Sequence, residues 1–227
     1  MDYPGKELEY FEKAKNFQKY VFFKIKKYIK DEILEVGAGL GGFCENYIDN
    51  FKSIHLTEVD KKNFDELQTV FKDTGIKLDN KEIKNIDKKF NTVIYLNVLE
   101  HIKDDKNEIN TALSKIKKDG HLIILVPAHQ ILYSKFDKEI GHYRRYEMNF
   151  FKQEFKNSKL KKLIYLDMFG YFLYFINKLF YKKEVYPSLS KILIWDKIFV
   201  PLTIVFDFVF NYRFGKNILC VLQKTED

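Results

Sequence analysis

The sequence predicts an α/β fold, a mostly parallel sheet of seven strands flanked by helices. Three observations predict it. Short apolar runs alternate with amphipathic stretches, the pattern of βαβ units. The first clear run empties into a glycine cluster, Gly37-Ala38-Gly39-Leu40-Gly41-Gly42, and a helix-like stretch follows it. A second run ends on the carboxylate Glu58, 21 residues beyond Gly37, the separation at which nucleotide-binding folds hold a ribose.

From the N-terminus, 7–30 places Phe17, Val21, Ile25 and Tyr28 at helical spacing. Residues 33–36 form a strand, and 40–50 reads as the helix that the glycines open. The alternating 53–58 is a second strand; Asp60 caps the next helix and Gly75 stops it. A brief third strand at 76–78 precedes a buried fourth at 92–96. Asp105 with Glu108 three residues on spells a capping box, opening a helix that Gly120 ends. Residues 121–126 make a fifth strand stopped by Pro127, and 160–166 and 218–223 complete the seven. Between these last two lies 169–213, dense in Phe, Tyr, Leu and Ile and carrying Lys182 and Lys183. This is a helical aromatic insertion, expected to fold back as a cover over the strands' carboxyl ends in a single domain, 1–227. None of its apolar runs reaches the roughly 18 residues of a bilayer span. Packing on the core, packing in a homodimer and peripheral contact with a membrane are the uses that leaves.

Composition sets the outer limits. A 46% apolar and 31% charged chain of 227 residues is a folded domain with a sizeable core, not a disordered one. Cys44 and Cys220 offer neither a disulfide framework nor metal-ligand spacing. The opening residues lack the apolar core of a signal peptide, so a cytoplasmic protein is expected, with the inner face of the membrane within reach. The net charge of +7 comes from scattered lysines, read first as a solvated surface and second as a face for phosphate or anionic lipid.

The glycine loop and its carboxylates carry the functional signal. Gly37, Gly39 and Gly42 fit the dinucleotide pattern G-x-G-x-x-G, whereas Gly37, Gly39 and Gly41 fit the methyltransferase pattern G-x-G-x-G. Glu35 separates the two. A dinucleotide brings its pyrophosphate to this helix N-terminus, where a carboxylate would repel it. S-adenosylmethionine brings an ammonium and a sulfonium, which a carboxylate suits. Glu58 supports an adenosine cofactor of either kind through its ribose hydroxyls.

Residues 33–41, then Leu56-Thr57-Glu58, then Tyr95-Leu96-Asn97-Val98-Leu99-Glu100-His101-Ile102, then Val126-Pro127-Ala128, closely resemble class I S-adenosylmethionine-dependent methyltransferases of the ubiquinone-biosynthesis-like superfamily. The run Gly141-His142-Tyr143-Arg144-Arg145-Tyr146 is similar to a subgroup often associated with cell-surface glycan or glycolipid synthesis. The resemblance implies a Rossmann-like sheet whose last strand is inserted antiparallel. It implies that Gly37, Ala38, Gly39 and Gly41 approach S-adenosyl-L-methionine above Glu35, and that Glu58 holds the ribose. Asn80 lies nearest the usual adenine position, Asn97 and Val98 present backbone to the methionine amine, and Leu99 lines the pocket. Some relatives carry Glu-x-x-Glu-His here and bind a divalent cation. Asn97 replaces the first carboxylate, so no metal is expected.

Methyl transfer to oxygen profits from a base near neutrality. His101 and His142 are the catalytic candidates, with His129 after them. Arg144 and Arg145 could grip an anionic acceptor bidentately, flanked by Tyr143, or tie their loop to Asp137 or Glu139. The expected activity is methylation of a hydroxyl or acidic group on a small or lipid-linked acceptor. Its rivals are an NAD-dependent oxidoreductase and a non-catalytic module peripheral to a membrane. Nucleic acid is not an expected partner, since no RNA-binding appendage is recognisable.

Overall fold

The structure, a computed structural model, describes residues 8–180 and 186–226, of which 177–180 by backbone alone. One sheet holds β1 (Ile33–Val36), β2 (Ile54–Thr57), β3 (Lys77–Asp79), β4 (Phe90–Leu96), β5 (Ile116–Pro127), β6 (Ser158–Leu166) and β7 (Asn217–Lys224), in the order β3-β2-β1-β4-β5-β7-β6. Strands β1 to β5 pair in parallel, and β7 enters antiparallel between β5 and β6. The strand order reverses between β1 and β4, so the chain leaves the carboxyl ends of these neighbours in opposite directions. That opens the crevice in which such sheets bind ligands.

A parallel sheet must be covered on both faces, and the period of two decides which side chain serves which. Leu34, Val93, Tyr95, Leu122 and Ile124 join one core with Ile109 and Leu113 of α4 (Asp105–Ser114) and Phe151 of α6 (Met148–Lys152). Ile33, Leu56, Ile94, Ile123 and Leu125 join the other, with Val21 and Ile25 of α2 (Lys15–Ile25) and Leu67 of α3 (Lys61–Val70). A short α1 (Leu8–Phe11) precedes them, and α5 (Lys135–Glu139) follows β5. The expected insertion is helical: α7 (Met168–Phe180), α8 (Leu189–Ile194), a π-helical turn (Trp195–Phe199) and α9 (Val200–Val209). The pair Lys182 and Lys183 lies outside the described residues. Among the described residues no helix is long and apolar enough to cross a membrane.

Three local expectations differ from the structure. Residues 40–50 form two 3₁₀ turns, Cys44–Asn46 and Ile48–Asn50, not an α-helix. Gly39 and Gly41 take φ of 57° and 87°, which no α-helix contains, and the tight turns bring Tyr47 beneath the loop. The cap of α4 is Asp104, accepting from Asn107 N at 3.3 Å, while Asp105 and Glu108 bind other partners. Gly120 lies inside β5, where a Cβ would come 2.6 Å from the Asn91 carbonyl oxygen; α4 has already ended at Ser114.

Candidate functional site

The crevice is walled by the loops after β1, β2 and β4. Gly37, with φ of 67°, lies against Val98: a Cβ on it would come 2.6 Å from Val98 Cγ2. Ala38 N donates to Thr57 O at 2.9 Å, tying the loop to β2. Buried Glu58 reaches back from β2, accepting from Gly39 N at 2.9 Å and Asp60 N at 2.8 Å. Burial raises its pKa against those two hydrogen bonds. Asn80 donates to the Glu58 carbonyl at 2.6 Å, so it holds the wall in place from behind. Asp60 caps α3 through Asn63 N, as its position after the strand predicts.

Glu35 sits buried under the glycine loop and accepts a hydrogen bond from the Tyr47 hydroxyl. Burial pushes its carboxyl up to about 7, with the Tyr47 bond opposing and the charge of Glu12 adding. Glu12 was not foreseen from sequence. Its carboxylate accepts from Gly42 N at 3.2 Å, and burial raises its pKa too. Leu8 closes over Gly39, its methyl groups 3.3 Å from where a Cβ would stand. No sequence signal links Glu12 or Tyr47 to this loop; chain topology alone brings them there. A cradle too tight for a Cβ, above a buried carboxylate and beside a second one, fits the amino-acid end and the ribose of S-adenosylmethionine.

The other half of the site follows β4. Asn97 is exposed in the left-handed region, φ 54°, and its N–H donates to Leu125 O at 2.8 Å. Leu99 is buried in the core with Tyr95 and Tyr146, so its side chain belongs to the core, which corrects the pocket-lining expectation. Glu100 is 0% exposed, and neither carboxylate oxygen has a hydrogen-bond partner. The segment 141–146 runs back across this turn. Tyr143 N donates to Glu100 O at 2.8 Å, and Tyr146 OH donates to Asp105 at 2.9 Å. His101 and His142 thereby meet edge to face, ring centroids 4.6 Å apart. His142 Nδ1 lies 3.0 Å from Asp137 Oδ1, and its Nε2 lies 3.7 Å from Glu100 Oε1.

Electrostatics sorts these groups. Burial pushes Asp137 up, but the His142 hydrogen bond and Arg145 outweigh it and hold the carboxylate well below its ordinary range. Burial pushes Glu100 up to about 7, with His142 and Arg145 opposing. Burial lowers His101 to about 3, and neighbouring His142 adds to the effect. The arginines are tied to carboxylates, though not to Glu139. Arg144 binds Asp105 and the Lys103 carbonyl, the latter at 2.8 Å. Arg145 donates through Nε to Asp137 at 2.9 Å and lies 4.2 Å over the Tyr174 ring. Its Nη1 is buried without a hydrogen-bond partner. Tyr143 is exposed, and His129 stands apart, stacked on Tyr165 and bonded to Gly215 O at 3.0 Å. Glu100, His101 and His142 place donor atoms within 4.8 Å of one another, the one such group among the described residues able to hold a metal ion. Sequence spacing offers only Asn97, Glu100 and His101 as metal ligands; the fold brings His142 to Glu100 and His101.

Comparison with known proteins follows this geometry. A family model described as a methyltransferase domain matches residues 8–163. No curated protein matches the chain in sequence. Among solved structures, an S-adenosylmethionine-dependent methyltransferase from Clostridium acetobutylicum aligns with TM-score 0.60 and 14% identity, covering 94% of this chain and 92% of that one. The N-methyltransferase NodS from Bradyrhizobium japonicum, in complex with S-adenosyl-l-homocysteine, gives 0.60 and 12%, covering 95% and 88%. The [4+2]-cyclase SpnF gives 0.62 and 11%, covering 92% and 81%. At such identities the likeness is one of fold, and the family match carries the assignment. The chain belongs to the methyltransferase-domain family, and its fold is that of the S-adenosylmethionine-dependent enzymes.

Proposed function

We propose that this methyltransferase, with S-adenosylmethionine as its methyl donor, methylates a hydroxyl on a small or lipid-linked anionic acceptor. One observation carries the acceptor reading: an orphaned donor, Arg145 Nη1, and an orphaned acceptor pair, the Glu100 carboxylate, are buried around the same histidines. Leaving such groups unpaired costs about 1–3 kcal/mol each, a cost that a ligand pairing them removes. A hydroxyl beside an acidic group suits both: the anionic oxygens accept from Arg145, and the hydroxyl stands between the Glu100 carboxylate and His142 Nε2, which lie 3.7 Å apart.

Within this reading Gly37, Ala38, Gly39 and Gly41 approach the cofactor, Glu35 faces its ammonium, and Glu58 with Asn80 behind it takes the ribose. Asn97 and Val98 offer backbone from the facing loop. The cofactor supplies an electrophilic methyl group on sulfonium, displaced in line by the acceptor oxygen, so the protein's task is positioning and proton removal. An ionised Asp137 fixes the His142 proton on Nδ1 and leaves Nε2 as the lone pair that accepts the acceptor's proton. His101, lowered to about 3, stays neutral and shapes the pocket instead of storing charge. Tyr143, exposed beside Arg144, is the stacking surface for a sugar or other ring. The insertion 169–213 serves as the cover of a single domain. Its α7 supports that reading, since Tyr174 OH donates to Asp137 at 3.0 Å. The run 141–146 supports an acceptor from glycan or glycolipid synthesis.

The test is to incubate extract of the source cell with the enzyme and radioactive cofactor, then separate lipid, soluble, protein and RNA fractions. Label in the lipid or small-molecule fraction, lost with His142→Gln, is the expected result. Label confined to protein or RNA would refute the acceptor class.

A further inference from the structure

From 189 to 209 the chain runs as one rod of α8, the π-helical turn and α9, and this rod is built inside out. Its buried stripe includes Asp196, Thr203 and Asp207. The Asp196 carboxylate accepts from Asn16 N at 3.2 Å and Phe17 N at 2.9 Å, in the first turn of α2. Asp207 accepts from Asp167 N at 2.9 Å and Met168 N at 3.0 Å, at the start of α7, and from Tyr20 OH at 2.8 Å. Thr203 Oγ1 donates to Asp167 Oδ1 at 3.3 Å. Both carboxylates of the rod therefore face inward, onto helix N-termini that need acceptors and favour negative charge.

The opposite stripe holds Ile194, Ile198, Leu202, Val205 and Val209, between 43% and 66% exposed, with Phe208 beside them at 73%. A helix facing water has these stripes the other way round. Scattered apolar side chains on a surface are ordinary; an unbroken apolar face along a rod with buried acids suits apolar surroundings.

The charges beside this stripe select the occupant. Between 186 and 216 the only acids are Asp196 and Asp207, both buried, whereas Lys197 and Arg213 are exposed. Helix α2, joined to α9 through Tyr20 and Asp207, adds Lys24, and the 3₁₀ turn Lys26–Tyr28 that follows it adds Lys26 and Lys27. Lys24 donates to Tyr212 OH at 2.6 Å, just past the end of α9, and the charges of Lys27 and Lys24 act together on Lys162 of β6. A second copy of this chain would bring the same positive rim against this one. Anionic lipid supplies the missing counter-charge and an apolar layer beneath it.

We propose that the outer stripe of the 189–209 rod docks the enzyme on an anionic lipid surface. The aliphatic side chains enter the headgroup boundary, and Lys26 and Lys27 meet the lipid phosphates. Docking needs no methyl transfer, so its test is independent of the acceptor.

The full-length chain is floated with vesicles of phosphatidylcholine alone and of phosphatidylcholine mixed with phosphatidylglycerol, at low and high salt. The wild type should bind the mixed vesicles and release them as salt rises. The double variant Val205→Glu with Phe208→Glu should bind at least about tenfold more weakly, because two carboxylates replace well-exposed apolar contacts in the stripe. Lys26→Glu with Lys27→Glu should weaken binding to mixed vesicles by about thirtyfold or more. Both variants should melt cooperatively and bind S-adenosylhomocysteine as the wild type does, since the changed side chains lie outside the crevice. Failure of the wild type to float with mixed vesicles at low salt overturns the proposal, as does equal flotation of wild type and the Val205/Phe208 variant. A wild-type dimer that this variant converts to monomer, without vesicle binding, overturns it in favour of a second copy.

Discussion

Cofactor affinity should titrate with Glu35. In the folded protein burial holds this carboxyl at about 7, against an ordinary 4.5. The raised value means that between about pH 4.5 and 7 the folded state keeps a proton that the unfolded state has lost, so this group's contribution to stability falls as pH rises through that window. The cofactor's ammonium reverses the preference, because it is attracted only to the ionised form. With a midpoint of about 7 the carboxylate is about one-eleventh ionised at pH 6 and about ten-elevenths at pH 8. Apparent affinity for S-adenosylmethionine or S-adenosylhomocysteine should then fall about tenfold from pH 8 to pH 6. Calorimetry in buffers of different ionisation enthalpy should count about 0.9 protons released on binding at pH 6. Glu35→Gln should bind more weakly and without that proton release. Tyr47→Phe removes the hydrogen bond that favours the carboxylate and should move the midpoint higher. Affinity that is flat between pH 6 and 8 in the wild type, or unchanged release in Glu35→Gln, would refute the reasoning.

Glu58→Ala should cost about 1.5–3 kcal/mol of cofactor binding, the range for charged hydrogen bonds, while NADH binding stays negligible; calorimetry reads both. Gly41→Ala should destabilise the fold by about 1–3 kcal/mol, seen as a lower melting temperature. Its φ is 87°, and a Cβ would come 2.2 Å from Phe71 Cε2. Arg145→Lys should impair turnover at unchanged cofactor affinity, because it gives up the stacking on Tyr174, the Nε bond to Asp137 and the unpaired Nη1 donor; a matching loss of cofactor binding would assign Arg145 to structure. His142→Gln should lower kcat by about 10²–10⁴-fold at unchanged cofactor affinity, whereas His101→Gln should lower it far less; steady-state kinetics reads both.

The parts that sequence made legible are those fixed by near neighbours in the chain. Strand periodicity, the glycines after β1, Glu35 two residues before them, Glu58 just after β2 and the Asp60 cap are all written within a few residues of where they act. What escaped depends on distant segments. Glu12 reaches Gly42, and Asp105 leaves its helix cap for Arg144; the choice between Asp137 and Glu139 as partner of Arg145, open in the sequence, falls to Asp137. Glu100 is the clearest case. Its place after β4 was legible, but its two unpartnered oxygens appear only once 141–146 folds back over the turn and brings His142 near.

The insertion shows why composition alone misleads. Pro201 and Asp207 read as interruptions of an apolar stretch, which implies a bent or paired helix. Pro201 instead stands in the first turn of α9, directly after the π-helical turn. That turn has already altered the ladder of hydrogen bonds, so a residue without an N–H is tolerated there. Asp207 anchors the rod because its carboxylate caps α7 from another element, and so does Asp196 for α2. With both acids committed inward, the helical period leaves only apolar side chains for the opposite stripe. An exposed apolar face is then the geometric consequence of two buried caps. Replacing either acid by alanine should loosen α2 or α7 and unseat the rod. A change on the outer stripe should leave the fold alone, and that difference separates an anchor from a docking face.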